Sequence, residues 1–367
     1  MDIAPIPFQS KKILFVIDSL CGGGAEAVVI RLAEVLVSQG FDVRIIIFAN
    51  IIEYEIDPRV VITVFDRDQH KTKWMTYAAL GKQVKKYIAE QGPFNLIIAN
   101  LLFTHRVMMA TKLPDVHYCI HTSYHTVHFA HLTGLKKWWK IKKFKSRFND
   151  KNLIFVSKGA QDEVVKKIGV IPKSTRVIYN PFPIHQLKEK SLEPIDISEP
   201  YFLHVGRFQK QKRHDVLLKL FKKSNVKDKL VLIGTGIDEK KQAIEDLAHQ
   251  LGIYNQLVFL GFQENPQKYM RNAIALLLSS ECEGFSNVIV ESLICETPVI
   301  ALKCPSGPEE ILSGELKQYL FEMNDHAGFA AKVYEVSQRP RKISSQIARV
   351  ERFDENVVVP MYASLCK

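Results

Sequence analysis

The 367-residue chain is poor in the features that mark non-globular proteins. It contains only 18 glycines and 16 prolines, whereas 47% of its residues are hydrophobic. This composition excludes a collagenous, low-complexity or mainly disordered chain. At roughly 150 residues per domain, the length predicts two domains, each with its own core.

Two further absences concern the cellular setting. The six cysteines form no C-x-x-C pair and follow no regular interval, so we expect neither a disulfide framework nor a structural zinc site. No apolar stretch reaches the roughly 18 residues of a membrane span, and residues 1–12 show no secretory signal. These patterns predict a cytoplasmic protein.

Acidic residues are scarce in the first half of the chain. Residues 1–190 hold 28 Lys and Arg against 16 Asp and Glu, whereas the remainder is nearly neutral. Such asymmetry predicts that one half meets a polyanion, either a nucleic acid or an anionic lipid surface. Because no nucleic-acid recognition module accompanies the charge, we expect no nucleic-acid partner.

Short apolar runs alternate with amphipathic stretches along the whole chain. The runs cover 13–17, 43–48, 60–65, 96–99, 117–120, 153–156 and 176–179, then 201–205, 230–233, 257–260, 274–278 and 298–302. Helical patterns lie between them at 25–39, 74–89, 213–223, 238–251, 266–272 and 287–295. This alternation predicts an α/β protein with two doubly wound parallel sheets and a binding cleft at the carboxyl ends of their strands.

The predicted domains follow from where the alternation pauses. The first covers 1–183, a polar linker covers 184–199, and the second domain covers 200–350. A terminal helix within 351–367 completes the chain, with room to pack back against the first domain.

A glycine-rich turn follows the first strand. Gly22, Gly24 and Ala27 satisfy G-x-G-x-x-A, which leaves a nicotinamide-dependent oxidoreductase as an alternative function. The carboxylate expected after the second strand of such a site is missing, since Ala49-Asn50 stands there. Backbone amides at Gly23 and Gly24 suit a phosphate or a sugar, and a plain tight turn is the other interpretation.

Two acids and two cations follow strands of the second half. Glu283 and Glu291 bracket a predicted helix start, where amides of Phe285, Ser286, Asn287 and Val288 suit a phosphate and the acids suit sugar hydroxyls. Gly206-Arg207 and Lys212 follow the strand 201–205 and suit a diphosphate leaving group. The alternatives are surface acids near a helix start and a solvated basic loop beside Lys210 and Arg213.

A basic aromatic segment covers 135–148. Seven cations and four large aromatic residues alternate there, which favours a helix on an anionic lipid surface. The alternatives are a packed helix with one solvated basic face and, for the whole chain, a non-catalytic membrane-binding module. The residues expected at the membrane are Lys136, Lys137, Trp138, Trp139, Lys140 and Lys143.

Metal-binding patterns are weak. The pairs His121/His125 and His128/His131 have helical spacing, but no Glu or Cys completes a convincing set. Asp66-Arg67-Asp68 is a D-x-D that we interpret as a solvated loop. We therefore expect no metal and no cofactor.

The ordered set of motifs resembles family 4 glycosyltransferases of the GT-B fold. The match consists of Gly23-Gly24-Ala25-Glu26, Gly206-Arg207 with Lys212, and Glu283 with Glu291 in a Glu-Gly-Phe context. Asn180-Pro181 and 297–300 extend the resemblance over essentially the whole chain, and the run 304–308 resembles bacterial members that build lipopolysaccharide or surface polysaccharide.

The resemblance implies a retaining, metal-independent transferase that moves a hexose from a nucleotide diphosphate sugar, with UDP as the expected nucleotide. It implies that Arg207 and Lys212 bind the diphosphate, Glu291 the ribose and Glu283 the transferred sugar, with His121 near that sugar. The implied acceptor is a lipid-linked or lipopolysaccharide glycan at the inner membrane face. Ser286 departs from the pattern, because many members carry glycine there, and this leaves the pocket shape open.

Overall fold

The computed structural model describes residues 11–67 and 73–366, which form two compact units. Unit 1 comprises the described parts of 1–156, 160–181 and 355–367, and unit 2 comprises 157–159 and 182–354. Each unit contains one parallel sheet, so the predicted α/β class with two doubly wound domains is confirmed.

Seven parallel strands form the sheet of unit 1. Their order is β3-β2-β1-β4-β5-β6-β7, which reverses direction between β1 and β4. The strands are β1 (Lys12–Ile17), β2 (Asp42–Ile47), β3 (Val61–Val64), β4 (Leu96–Asn100), β5 (Val116–Ile120), β6 (Asn152–Phe155) and β7 (Ser174–Val177). Their register is set by continuous apolar runs, with Phe15 opposite Ile45 and Ile98.

Helices cover this sheet and close its core. They are α1 (Gly24–Ser38), α2 (Lys73–Gln91), α3 (Leu102–Thr111), α4 (Tyr124–His128), α5 (Gly134–Phe148), α6 (Lys158–Asp162) and, near the end of the chain, α15 (Glu355–Ala363), which packs against α1. Phe144 and Phe148 of α5 are buried against Tyr118 and Tyr124. This aromatic cluster fixes α5 on unit 1.

Six parallel strands form the sheet of unit 2, in the order β10-β9-β8-β11-β12-β13. They are β8 (Tyr201–Val205), β9 (Lys229–Ile233), β10 (Leu257–Gly261), β11 (Leu276–Leu278), β12 (Val299–Leu302) and β13 (Leu320–Phe321). The helices are α7 (Ile184–Ser191), α8 (His214–Ser224), α9 (Asp238–Leu251), α10 (Gln267–Asn272), α11 (Asn287–Ile294), α12 (Pro308–Ile311), α13 (His326–Gln338) and α14 (Ser345–Ala348).

The structure differs from the predicted linker. Residues 184–191 form α7, whose Ile184 and Leu187 are buried in unit 2, where the helix packs on α10 and α11. Six of its eight residues are polar, which is why the sequence favoured a linker, but two apolar residues three apart are enough to bury one side of a short helix. The part of unit 1 that precedes α7 accordingly ends at Pro181 rather than at residue 183.

Candidate functional site

The direction of strand order reverses between β8 and β11 in unit 2. At such a switch point the loops after the two strands diverge and leave a crevice at the carboxyl ends. The loop after β8 carries Gly206 and Arg207, and the loop after β11 carries Glu283. The residues predicted for the diphosphate and the sugar therefore lie on the two loops that flank this crevice.

Backbone hydrogen bonds hold the loop after β8 in place. Gly206 N donates to the Ile233 carbonyl at 2.9 Å and Phe208 N to the Thr235 carbonyl at 2.7 Å. A single turn of 3₁₀ helix then carries Lys212, while Arg207 is exposed. Arg213 forms an ion pair with Asp215 at 3.0 Å, so Arg213 is already neutralised by a neighbour.

Lys212 and Glu283 form the central contact of the site. Lys212 Nζ lies 2.8 Å from Glu283 Oε1, and the two side chains are 20% and 9% exposed. Sequence analysis assigned both residues to the site, but it did not anticipate that they pair. Because the two residues are 71 positions apart, only the folded sheet brings them together.

Further contacts join the two loops. Gln211 Nε2 donates to the Cys282 carbonyl at 2.7 Å, and Ser279 Oγ donates to the Lys212 carbonyl at 3.0 Å. Glu281 N donates to the Gln211 carbonyl at 2.8 Å. Sequence reasoning missed Gln211 and Ser279, and the only signal for them was their position directly beside predicted site residues.

Two neutral histidines support the same loops. His204 of β8 has Nδ1 at 2.9 Å from the Leu277 carbonyl, and its ring centroid lies 4.7 Å from that of His214. Burial lowers the pKa of His204 to about 4 and that of His214 to about 3. Both rings are therefore uncharged near pH 7, so neither histidine adds positive charge to the site.

The start of α11 presents amides and a hydroxyl. Ser286 precedes the helix with a φ of +73°, a left-handed conformation that costs a non-glycine residue about 1 kcal/mol. Its Oγ is buried and makes no hydrogen bond within the part of the chain that the structure describes. The buried ring of Phe285 packs against Phe353, and the partly buried Asn287, Val288 and Glu291 lie on α11.

The glycine turn of unit 1 lies among carboxylates. Gly23 precedes α1, and a Cβ atom built on it would come within 2.1 Å of a Glu26 carboxylate oxygen. A Cβ atom on Gly22 would come within 2.9 Å of a Glu53 carboxylate oxygen. Two acids beside the turn disfavour a phosphate at Gly23 and Gly24 and favour hydroxyl groups, a distinction that the glycine pattern alone cannot make.

His121 lies at the same edge of the unit 1 sheet. Its Nε2 is 2.9 Å from Asn100 Oδ1 at the end of β4, and burial lowers the pKa of His121 to about 4. Asp18, after β1, accepts hydrogen bonds from the Thr104 amide and hydroxyl at 3.0 and 2.6 Å. Sequence analysis found His121 and missed Asn100 and Asp18, although Asn100 ends β4 and Asp18 follows β1, the two strands that border the unit 1 switch point.

Helix α5 is both packed and exposed. Phe144 and Phe148 are buried, whereas Trp138 and Trp139 are 52% and 61% exposed. The two indole rings contact each other edge to face at 5.1 Å, and Lys142 Nζ lies 4.9 Å from the Trp138 ring centroid. The alternative of a packed helix with a basic face is therefore present, together with an exposed aromatic pair, and contact with a membrane stays a prediction. The other residues predicted for membrane contact are Lys136, Lys137, Lys140 and Lys143.

Residues 11–67 and 73–366 show neither a candidate metal site nor a helix that could span a membrane. No three His, Cys, Asp or Glu side chains converge on a metal-sized site there. Every helix in this part of the chain is too short or too polar to span a bilayer. Of the D-x-D acids, Asp66 follows β3 in a loop, and Asp68 lies outside the described residues.

Two family models match consecutive parts of the chain. Residues 22–186 match Glycosyltransferase Family 4, and residues 186–353 match Glycosyl transferases group 1. The division between the two matches falls within five residues of the boundary between the structural units.

Curated relatives are similar to part of the chain. The chain is 31% identical over 169 residues to a Campylobacter jejuni N-acetylgalactosamine-N,N'-diacetylbacillosaminyl-diphospho-undecaprenol 4-alpha-N-acetylgalactosaminyltransferase, covering 46% of each protein. It is 32% identical to the lipopolysaccharide 1,6-galactosyltransferase of Escherichia coli K12, covering 47% of this chain and 49% of that protein. The chain thus spans less than half the length of these relatives.

Solved structures are similar over nearly the whole chain. A glycosyltransferase from Rickettsia africae has a TM-score of 0.78 at 16% identity, with 98% of both chains covered. Anabaena Alr3699/HepE, solved with UDP and glucose, has a TM-score of 0.76 at 22% identity, with 96% of this chain and 98% of that chain covered. At these identities the similarity shows the fold.

Proposed function

Because the chain belongs to the glycosyltransferases of the GT-B fold, we propose that it transfers a hexose from a nucleotide diphosphate sugar to a lipid-linked or lipopolysaccharide glycan. The observation that carries the donor class is the pairing of Lys212 with Glu283 at the unit 2 switch point, where the loop after β8 also carries Arg207. The acceptor class and UDP are supported by the names of the relatives and by the Anabaena structure.

Arg207 and Lys212 act on the leaving group. As the bond from the sugar C1 to the diphosphate oxygen breaks, negative charge grows on that oxygen, and two fixed cations stabilise it. The acceptor hydroxyl oxygen forms the new bond to C1 on the same face of the sugar, and its proton passes to the departing phosphate. This sequence retains the anomeric configuration and involves no covalent intermediate with the protein.

The ion pair couples donor binding to sugar recognition. In the structure Lys212 is neutralised by Glu283. When Lys212 turns to the diphosphate, the Glu283 carboxylate becomes available to accept hydrogen bonds from hydroxyls of the transferred sugar. The helix start at Phe285 to Val288 supplies amides to the phosphates, and Glu291 accepts from the ribose hydroxyls.

Side chains at the edge of the unit 1 sheet bind sugar hydroxyls rather than phosphates. His121 is uncharged near pH 7 and hydrogen-bonded to Asn100. Gly23 and Gly24 allow close approach of a hydroxyl that can reach the carboxylates of Glu26 and Glu53. Recognition of the donor phosphates depends on unit 2 alone.

Metal independence is part of the proposal, because Arg207 and Lys212 supply the charge that a divalent ion would supply. Saturating EDTA should leave the transfer rate within about twofold of the untreated rate. Abolition by EDTA and rescue by Mn²⁺ would contradict it.

The proposed location is the inner, anionic face of the membrane. The exposed indoles of Trp138 and Trp139 suit the lipid interface, and the lysines of α5 suit anionic headgroups. A Trp138→Ala/Trp139→Ala variant should sediment less with phosphatidylglycerol vesicles than wild type, whereas Tyr334→Ala, which removes an exposed aromatic residue of unit 2, should not. Equal sedimentation of all three proteins would show that the two indoles do not contribute to vesicle binding.

The activity itself is tested with a panel of nucleotide sugars. A bound donor raises the thermal unfolding midpoint by mass action, so the stabilising donor identifies the base and the sugar. That donor, radiolabelled in the sugar, should then label a lipid-linked glycan in membrane extracts with retention of configuration. Stabilisation by no nucleotide sugar, with no label transferred, would contradict the proposal.

A further inference from the structure

Unit 1 contains a cationic cavity apart from the edge of its sheet. It lies between α3, α4 and α5, has a volume of about 420 Å³, and is lined by Leu102, Arg106, Tyr124, His128, Phe129, His131, Lys140, Lys143, Phe144 and Arg147. Its apolar residues include the buried rings of Tyr124, Phe129 and Phe144. Several cations beside buried aromatic rings are an unusual lining for a cavity without a ligand, because charged side chains seldom line the interior of a protein.

A second cavity, also of about 420 Å³, adjoins the first. It shares Arg106, Lys143 and Arg147, and its remaining lining is Tyr77, Ala78, Met109 and Ala110. Three cations therefore border both cavities. The first cavity adds aromatic rings and imidazoles to its lining, and the second adds a largely apolar wall from α2 and α3. Such an arrangement suits a molecule with an anionic group and a hydrocarbon part.

Arg106 is held by a neighbouring ring, and the shared cations lack acidic partners among the described residues. Arg106 Nη1 donates to the Tyr77 hydroxyl at 3.0 Å, and the guanidinium lies 5.6 Å from the centre of that ring. Among the described residues, none of Arg106, Lys140, Lys143 and Arg147 has an ion pair. Burial and the neighbouring charge of Arg106 lower the pKa of Arg147, as expected where cations face one another without an anion.

The opposite side of α5 is a different surface. Residues 140, 143 and 147 follow a spacing of three and four that places them along one stripe of the helix. Trp138, Ile141, Lys142 and Lys145 instead line a separate cavity. The same helix therefore offers Lys142 as a control cation that does not border the shared group.

We propose that the two adjoining cavities bind the diphosphate of an amphiphile, with Arg106, Lys143 and Arg147 on the diphosphate and the hydrocarbon along Tyr77, Met109 and Ala110. Three cations match the two or more charges of a diphosphate better than the single charge of a phospholipid phosphodiester. The inference rests on the proposed function in one respect, namely that the acceptor is lipid-linked.

The test measures binding of farnesyl diphosphate to the full chain by calorimetry. We expect its dissociation constant to be at least about tenfold lower than that of inorganic pyrophosphate or of dihexanoyl phosphatidylglycerol, a difference of about 1.4 kcal/mol. Arg106→Gln and Arg147→Gln should each weaken binding about tenfold or more. Lys142→Gln should bind like wild type.

Three results would overturn the inference. Equal affinity for pyrophosphate would make the site a simple anion site, and equal affinity for the phosphatidylglycerol would make it a general lipid surface. Unchanged binding in the two arginine variants would place the ligand elsewhere. Lys143→Gln, at an exposed residue, repeats the test if an arginine variant fails to fold.

Failure of the inference and failure of the proposed function give different results. If sugar transfer proceeds but farnesyl diphosphate binding does not depend on Arg106, the inference alone is wrong. If farnesyl diphosphate binds through Arg106 and Arg147 but no nucleotide sugar stabilises the protein, the transferase proposal is wrong.

Discussion

The two sheets share the same order over their first six strands but differ in chemistry at their switch points. In unit 2 the segment after β8 carries Arg207 and Lys212, and Lys212 pairs with Glu283 of the loop after β11. At the corresponding places in unit 1, Asp18 follows β1 and Asn100 ends β4. Strand order fixes where a ligand binds, but the side chains decide whether that ligand is an anion or a neutral polyol.

The glycine-rich turn of unit 1 does not have the surroundings of a phosphate site. Gly22 and Gly24 fit a dinucleotide fingerprint, yet Glu26 and Glu53 lie against the turn. The cations that line the cavity of unit 1 lie instead on α3 and α5, away from the glycine turn in sequence. A turn that can approach a ligand closely therefore does not by itself identify a phosphate site.

Removing Lys212 should have the largest effect on stability. Lys212→Met leaves the Glu283 carboxylate buried without its cation, which should cost up to about 3 kcal/mol, because removing one partner of a buried pair costs about 3–5 kcal/mol and this pair is partly exposed. The double variant Lys212→Met/Glu283→Gln should recover most of the loss. Urea unfolding of wild type, Lys212→Met, Glu283→Gln and the double variant measures the coupling between the two residues. Additive losses of stability would show that Lys212 and Glu283 do not act as a pair.

Removing Arg207 should act on catalysis instead. The side chain is exposed, so Arg207→Ala should leave stability nearly unchanged and lower kcat about 10²-fold or more, as expected for one electrostatic donor. Lys210→Ala, at an exposed cation of the same loop, should stay within about twofold. Wild-type turnover in a folded Arg207→Ala variant would contradict the role of Arg207.

These two predictions show what the sequence could and could not reveal. Helix α9 and the acids eight positions apart were predictable, because apolar periodicity and spacing are local properties. The contact between Lys212 and Glu283 was not, because it joins residues 71 positions apart. Helix α7 was missed for a related reason, since only burial of Ile184 and Leu187 in unit 2 makes that polar segment a helix.

Acid should weaken both units. Burial lowers the pKa of His105 and His214 to about 3 and that of His121 and His204 to about 4, from the ordinary histidine value of about 6.5. Between those values the unfolded chain binds protons that the folded chain does not, so stability falls as pH falls below 6.5. Each histidine contributes up to about 1.4 kcal/mol per pH unit.

Urea unfolding at pH 6.5 and pH 5.0 measures this loss. His105 packs edge to face with Tyr118 and Phe148, so His105→Phe keeps an aromatic ring in place and removes one titrating group. The variant should lose less stability between the two pH values than wild type. An identical loss would show that His105 is not among the acid-sensitive groups.

The smallest expected effect is at Ser286. Ser286→Gly relieves the strain of the left-handed backbone. It also removes a buried hydroxyl that makes no hydrogen bond among the described residues. The variant should therefore raise the free energy of unfolding by about 0.5–1 kcal/mol. If the hydroxyl contacts the donor phosphate, the donor KM should rise a few-fold as well. A stabilised variant with unchanged KM would limit Ser286 to a structural role.

The most direct test of the contrast between the two sheet edges is calorimetric titration with UDP. Arg207→Ala should weaken UDP binding at least about tenfold, a loss of about 1.4 kcal/mol. Glu26→Gln at the unit 1 edge and Arg106→Gln in the cationic cavity should bind UDP like wild type. Unchanged affinity in Arg207→Ala, together with altered affinity in Glu26→Gln, would contradict the assignment of UDP recognition to unit 2.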